Sequence, residues 1–474
     1  MMTIEFEKIP ASIRRPGVYS EFNTRMAVSS LPTNEQEVLI IAPMTTLSAQ
    51  EFTAPLRVYS DFESAEAFGY GSWAHLMTRI AIKNNPYIRL SVIGLKDHSA
   101  GIAAVGSVTI VGTATTQGVI TVAIANVDYQ IAVATGETAE NLAVRLAAVI
   151  NAESDGVATA TAEGGIITLT AKCKGEIGNG ISLGYKNTAS DISLSGQAFT
   201  GGETNADLAD ALASIAGNHY HIIISAFNDN KNAKALREHL ETVSSPVEKK
   251  RGLGVLGYNG TMSAGSTFTE GLNHERLTLG WYKGATDSVA LIAAGYGAVI
   301  AGEEDPARPL NTLEIKGLAE VAETQTPTWN EANQALFHGL TPITVVNHRV
   351  QIMRAITTYT KNATNTDDPS WLDLTSIRSM DYTAKAIEQR LALRFPRSKL
   401  TSRKGNNVPQ KVRSEILDVL YRLEKADILE NIDANKGNVI VERSNVDVNG
   451  LDTAIPADVV NGLHVIRNRI DLIL

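Results

Sequence analysis

One cysteine, Cys173, stands in a chain of 474 residues. That excludes an intramolecular disulfide and any metal site built from several cysteines, and it fits a chain made in a reducing compartment, its thiol a small, partly buried side chain. No apolar run reaches the ~18 residues of a membrane-spanning helix. The opening residues Met1 to Pro10 scatter Glu5, Glu7 and Lys8 among hydrophobes instead of forming a signal-peptide core, so neither membrane insertion nor Sec export is expected. Phosphate-cradling signatures are missing too. Gly252-Leu-Gly254 and the glycine-rich stretch from Gly295 to Gly302 do not make G-x-G-x-x-G after a strand, and no G-x-x-x-x-G-K-[ST] occurs. With 42 basic against 51 acidic residues the net charge is −9, which argues against a general nucleic-acid binder.

What remains is an ordinary globular composition, 44% apolar, in a chain long enough for two to four domains. Both of its ends read as strands without a sequence neighbour to pair with. From Leu463 to Leu474, Ile466, Ile470, Leu472 and Leu474 share a face with His464 and Asn468, while Arg467, Arg469 and Asp471 share the other. After the Pro16-Gly17 turn signal, Val18, Ser20, Phe22, Thr24 and Met26 alternate with Tyr19, Glu21, Asn23 and Arg25. An apolar terminal strand invites aggregation unless a sheet accepts it. That sheet belongs either to the same subunit or to a neighbouring copy, and two such ends in one chain favour the neighbour.

Between the ends the pattern is α/β, interrupted and resumed. Glu37 to Met44 is an apolar strand; Ser60-Asp-Phe-Glu63 is a capping box opening a helix toward Asn84; Tyr87 to Leu95 is the next strand. The rhythm resumes with a helix over 205–216, strand 221–227, helix 232–243, strands 253–258 and 277–282, and helix 287–300. Strands and helices alternating in this way predict a mostly parallel central sheet covered by helices. Residues 101–200 differ: from Gly101 to Ala171 the sole basic residue is Arg145. Strands over 105–111, 119–125 and 129–133, a helix with Leu142, Leu146, Val149 and Ile150 on one stripe, and strands over 157–162 and 165–171 make a β-rich inserted module, expected to project outward from a surface connection. Farther on, Thr328-Trp-Asn-Glu331 is a second capping box, 343–346 and 350–359 read as a hairpin turned at Asn347-His348-Arg349, and two amphipathic helices over 376–395 and 410–429 precede a strand at 438–442.

Catalytic chemistry finds little support. Ser263 in Gly-Thr-Met-Ser-Ala-Gly lacks the G-x-S-x-G spacing and has no comparably marked His or Asp, so a glycine-rich loop is the better reading. His219 and His221 fall on one side of a strand without a recognisable third metal ligand. One charge feature stands out: Arg390, Arg394, Arg397, Lys399, Arg403, Lys404, Lys411 and Arg413 occur with no acid between Arg390 and Arg413. The run is either a solvated face or a docking surface for a negatively charged partner, and the absence of interleaved aromatics disfavours single-stranded nucleic acid.

The stretch Asp305-Pro-Ala-Arg-Pro-Leu-Asn-Thr-Leu313 closely resembles contractile-tail sheath proteins of Mu-like bacteriophages. So do Arg15-Pro16-Gly17-Val18-Tyr19, the segment from Trp371 to Leu400, and Asn468-Arg469-Ile470-Asp471, all in the family's order. The resemblance implies a tail-sheath fold: an N-terminal arm (1–30), a subtilisin-shaped, non-catalytic α/β core (31–100 and 201–325), the inserted module on the outside (101–200), a tube-facing α+β C-terminal domain (326–460) and a C-terminal arm (461–474). It implies a structural, cofactor-free subunit that binds copies of itself in six-fold rings stacked into a helical sheath around an inner tail tube protein, with baseplate and tail terminator proteins as further partners. Neither membrane insertion nor specific nucleic-acid binding is implied. The arms (Val18, Phe22, Met26; Ile466, Ile470, Leu472, Leu474) would add strands to adjacent subunits, and Arg390, Arg394, Arg397, Lys399, Arg403 and Lys404 would face the tube. Assembly in the bacterial host cytoplasm would lead to the virion tail, where contraction drives the tube through the host envelope. A sheath of a phage-derived bacteriocin or related injection device is the alternative within the class; an α/β hydrolase or nucleotide-binding enzyme is the alternative outside it.

Overall fold

Val38, Leu39, Ile40, Ile41 and Ala42 are fully buried in β1 (Glu37–Pro43), as a strand covered on both faces requires. The computed structural model describes residues 12, 15–20, 31–45, 54–401 and 407–473. Its contacts divide the chain into two units, Asn34–Asp381 with Val459–Leu474, and Met1–Thr33 with Tyr382–Asp458. In the larger unit, β1 is followed by the short β2 (Leu56–Val58). Ser60 then caps α1 (Asp61–Phe68): its Oγ accepts from the Glu63 N–H at 3.2 Å, while Glu63 Oε2 accepts from the Tyr59 N–H at 2.8 Å. The single helix expected to run on toward Asn84 is in fact two. Gly69 and Gly71 take φ of +91° and +74°, which ends the first, and Ser72 caps α2 (Trp73–Asn84) afresh. Strand β3 (Arg89–Leu95) follows.

The inserted module comprises β4 (Val105–Gly112), β5 (Gly118–Ile124), β6 (Val127–Val133), α3 (Ala139–Ala152), β7 (Ala158–Glu163), β8 (Ile166–Ala171), β9 (Leu183–Asn187) and β10 (Ile192–Thr200). They form sheets of order β10-β4-β8-β7 and β6-β5-β9, with β9 and β10 beyond the expected strands. Helix α3 buries Leu142, Ala143, Leu146, Ala147 and Ile150; Val149, placed on that stripe from the sequence, lies at its rim and is 38% exposed. The module contacts the sheet body: Asn126 Nδ2 donates to Asp287 Oδ1 at 3.0 Å, and the Lys174 N–H to Asp97 Oδ1 at 3.0 Å.

The chain then gives α4 (Ala209–Ile215), β11 (Ile222–Ser225), α5 (Asn230–Val243), β12 (Leu253–Tyr258), α6 (Met262–Leu272), β13 (Leu277–Trp281), α7 (Val289–Gly302), α8 (Trp329–Phe337), β14 (Thr341–Val346) and β15 (Arg349–Ile352). Eight strands run β15-β14-β13-β12-β11-β1-β3-β2, parallel from β14 to β3 and antiparallel at both edges. Helices lie on both faces: Gly254 of β12 abuts Leu236 and Leu240 of α5, and Gly257 meets Val289 and Ala293 of α7. The large sheet thus takes in β14 and β15, past residue 325, where the sequence reading closes the core. The hairpin turns on Asn347 and His348 at φ +50° and +61°, as a two-residue turn with the strands' twist requires, and its second strand stops at Ile352 rather than Tyr359.

Helix α9 (Leu374–Arg394) carries the chain from the larger unit into the smaller, which holds α10 (Val408–Lys425), β16 (Leu429–Glu430), α11 (Ile432–Asn435) and the hairpin β17 (Ile440–Arg443)–β18 (Leu451–Ala454). Among the described residues that hairpin is a two-stranded sheet. The terminal strand expected over 463–474 is absent as a strand: residues 460–473 belong to no helix or strand of this chain.

Candidate functional site

The C-terminal segment is anchored at its root and bare beyond it. Gly462 passes so close to Pro309 that a Cβ there would meet Pro309 Cγ at 2.7 Å. The His464 side chain is 14% exposed, with Nε2 3.5 Å from Asp373 Oδ1, and Asp373 is held by Arg354 through two bonds of 2.8 Å. Burial, with the Arg354 guanidinium beside it, pushes the His464 imidazole down against the pull of Asp373. Outward from this anchor Ile466 is 70% exposed, Ile470 93%, Leu472 84% and Ile473 91%. Leu474 lies outside the described residues. A row of large aliphatic side chains exposed in this way is a candidate contact surface.

The Pro309 that supports this root belongs to the Asp305–Leu313 stretch, which also closes the large sheet. The Thr312 N–H donates to Ile352 O at 2.8 Å, the Ile352 N–H to Leu313 O at 3.0 Å and the Ile315 N–H to Val350 O at 2.8 Å, so the chain covers the outer edge of β15. Arg378 of α9, 7% exposed, donates to Glu303 O and steadies the approach to the stretch; burial pushes its guanidinium down to about 10.

The N-terminal segment is rooted in the smaller unit. Tyr382 Oη donates to Pro32 O at 2.7 Å and Lys385 Nζ to Thr33 O at 2.9 Å, both from α9. Val18 is 98% exposed; Phe22 and Met26 lie outside the described residues. In the same unit β17–β18 presents Ile440 at 51% exposure, with Val446 and Val448 at its tip 97% and 83% exposed. A lone two-stranded ribbon is marginal in water and gains from further strands.

The basic run resolves into two groups. Arg390 and Arg394 are not a solvated face: Arg390 Nε lies 2.7 Å from Glu415 Oε2 and its Nη2 3.0 Å from Asp418 Oδ2, and Arg394 Nε lies 3.5 Å from Glu415 Oε2. The acids that neutralise them sit on α10, just past the acid-free stretch. Arg413 likewise donates to Val439 O and Lys436 O, at 2.7 and 2.6 Å. Arg397 and Lys399 are exposed, and Arg403 and Lys404 lie outside the described residues.

The candidates for chemistry have other partners. Ser263 sits in the first turn of α6, not in a loop, because Thr261 caps that helix by accepting from the Ala264 N–H at 3.4 Å. His219 Nε2 donates to Arg251 O at 2.9 Å, and His221 Nδ1 accepts from the Glu37 N–H at 3.1 Å. The Cys173 thiol is buried and pushed up to about 12, so it is inert as a nucleophile. Gly295 and Gly297 of α7 serve close packing, against Ile315 and Ile224. No helix among the described residues is long and apolar enough to cross a membrane.

Comparison with known proteins agrees with this picture. Residues 201–358 match the family model of the phage tail sheath protein central domain, and residues 366–473 that of the phage tail sheath C-terminal domain. The chain belongs to the phage tail sheath family. It is 30% identical to the Mu-like prophage FluMu tail sheath protein of Haemophilus influenzae over the full length of both, which makes it a sheath of the Mu-like type. Among solved structures it shares its fold with the sheath tail protein DSY3957 of Desulfitobacterium hafniense (15% identity, TM-score 0.53, 94% of this chain and 97% of that one). It also shares it with the sheath tail protein Lin1278 of Listeria innocua (14%, 0.51, 90% and 92%). This chain is therefore a structural subunit of a contractile tail sheath, a component of the virion tail and not an enzyme.

Proposed function

We propose that this subunit polymerises by lending its two end segments to neighbouring copies, forming six-fold rings stacked into a helical sheath around an inner tube. The observation that carries the reading is the apolar, strandless segment beyond His464, with Ile466, Ile470 and Leu472 all at least 70% exposed. The β17–β18 ribbon supplies strand edges that such a segment fits. Burying Ile466, Ile470, Leu472 and Leu474 contributes about 6–12 kcal/mol, and some six ladder hydrogen bonds about 1 kcal/mol each. Ordering about eight residues costs roughly 8–16 kcal/mol. One segment alone therefore binds weakly, and many engaged together hold a polymer through effective concentration. The five-part division read from the sequence (arm, core, outer module, tube-facing domain, arm) goes with this reading, Arg397 and Lys399 lining the tube side. Baseplate and terminator proteins bound the polymer, which assembles in the host cytoplasm and drives the tube through an envelope when it contracts. Contraction draws on interfaces that fit better afterwards and uses no nucleotide.

Negative-stain microscopy tests the central step. Full-length protein is expected to form long hollow cylinders, and a chain lacking residues 463–474 is expected to form none. Cylinders that persist after the deletion would remove the role of this segment.

A further inference from the structure

Helix α2 brings His75 to the seam between the sheet body and the inserted module, where both ring nitrogens meet donors. Nδ1 lies 3.2 Å from the Gly71 N–H and Nε2 3.0 Å from Nη2 of Arg79, and the residue is 1% exposed. A neutral imidazole has one acceptor nitrogen and can satisfy one of these donors; an imidazolium has none and satisfies neither. The two neighbours it faces are the ones that hold the module. Arg79 pairs with Asp155 of the module and, at 3.4 Å, with Asp61 of α1. Gly71, at φ +74°, abuts the module so tightly that a Cβ would meet Gly156 O at 2.2 Å. Lys172 completes the seam, its Nζ donating to Ser154 O at 2.7 Å and to Tyr70 O at 3.4 Å. The Tyr70 ring stands edge-on to the imidazole at 5.9 Å.

We propose that His75 is a pH-sensitive clasp for the inserted module: neutral, it accepts from one of its two donors and leaves Arg79 and the Gly71 turn in their grip on Asp155 and Gly156; protonated, it accepts from neither, sets a second cation against Arg79 and releases that edge of the module. The charged groups around the ring are Arg79 on its own helix, Asp61 on α1, and Asp155 and Lys172 on the module. The two carboxylates favour the imidazolium, whereas the two cations and, above all, burial oppose it, and the balance holds His75 below its ordinary 6.5. Because the docked state prefers the neutral ring, docking has its full strength above 6.5 and weakens as the pH falls below that value. None of this depends on strand exchange, and the test below does not require polymer.

Hydrogen exchange of the full chain at about pH 7.5 and about pH 5.5, corrected for the intrinsic rate, reads the clasp directly. Amides at 70–73 and 154–157 are expected to lose protection by up to about tenfold at the lower pH, the ceiling for an ordinary imidazole one unit below its midpoint. Amides of β11 and β12 are expected to hold. In His75→Gln the pH step should disappear, and in Arg79→Gln protection at 154–157 should be low at both values. Unchanged wild-type protection overturns the proposal, as does a pH step of wild-type size in either variant. Should His75→Gln fail to fold, the wild-type step and Arg79→Gln decide between the same outcomes.

Discussion

Arg390 spans two carboxylates of the facing helix with a side chain only 12% exposed, so its charge is spent inside the smaller unit. Removing it takes one of two basic partners from each acid, leaving Glu415 with Arg394 at 3.5 Å and Asp418 with Arg422 at 3.0 Å, in a partly desolvated setting. We expect Arg390→Ala to destabilise the soluble subunit by about 2–3 kcal/mol in urea unfolding, and Lys399→Ala, at an exposed position, to change it by less than about 0.5 kcal/mol. This pair of residues also shows what sequence reading could and could not reach at this scale. The acid-free run from Arg390 to Arg413 was plain, but Glu415 and Asp418 lie just beyond it, and which of its cations they neutralise depends on how α10 turns back onto α9. The same holds for His75: nothing in Trp-Ala-His-Leu announces two donors converging on one ring, because both arrive through the turn at Gly71 and the packing of α2.

At the scale of elements, legibility followed local chemistry. Thr328 Oγ1 accepts from the Glu331 N–H at 3.3 Å and Glu331 Oε2 from the Thr328 N–H at 2.9 Å, a reciprocal box visible as Thr-Trp-Asn-Glu. We expect Thr328→Ala to cost about 1 kcal/mol, seen as faster amide exchange in the first turn of α8. Strands β11, β12 and β13 were equally legible, being short stretches dominated by large apolar residues and buried on both faces. Elements that depend on distant partners were not. Strand β10, Ile-Ser-Leu-Ser-Gly-Gln-Ala-Phe-Thr, has small polar residues and a glycine in its alternation, and is strand because β4 pairs with it over Ile192 to Gln197 and again at Thr200, past a register shift. Helix α6 holds two glycines and two threonines and is held by residues outside it: Thr269 Oγ1 donates to His338 O at 2.5 Å, and a Cβ on Gly265 would meet the Tyr258 ring at 2.8 Å. The break between α1 and α2 was present in Phe-Gly-Tyr-Gly-Ser and was overrun by the apolar period on either side.

At the scale of the whole molecule, the C-terminal segment has a fixed root on Pro309 and Asp373 and an exposed stretch over 466–473, and at the N-terminal end Pro32 and Thr33 are held by Tyr382 and Lys385. Charge reversal at Arg397 and Lys399 probes a different surface. We expect the Arg397→Glu, Lys399→Glu double variant to assemble poorly on purified tubes while its self-polymerisation, followed by light scattering, changes little; equal loss of both would mark the segment as structural.

The covered edge of β15 has a bearing on safety as well as on shape. An exposed, flat, apolar edge on a sheet of eight strands would be a template for edge-to-edge pairing. Here one border is sealed by the strand-like passage at 312–315, and the other ends in β2, three residues long and carrying Arg57. Among the described residues, both borders are thereby poor templates for edge-to-edge pairing, which favours the accumulation of subunits before they assemble.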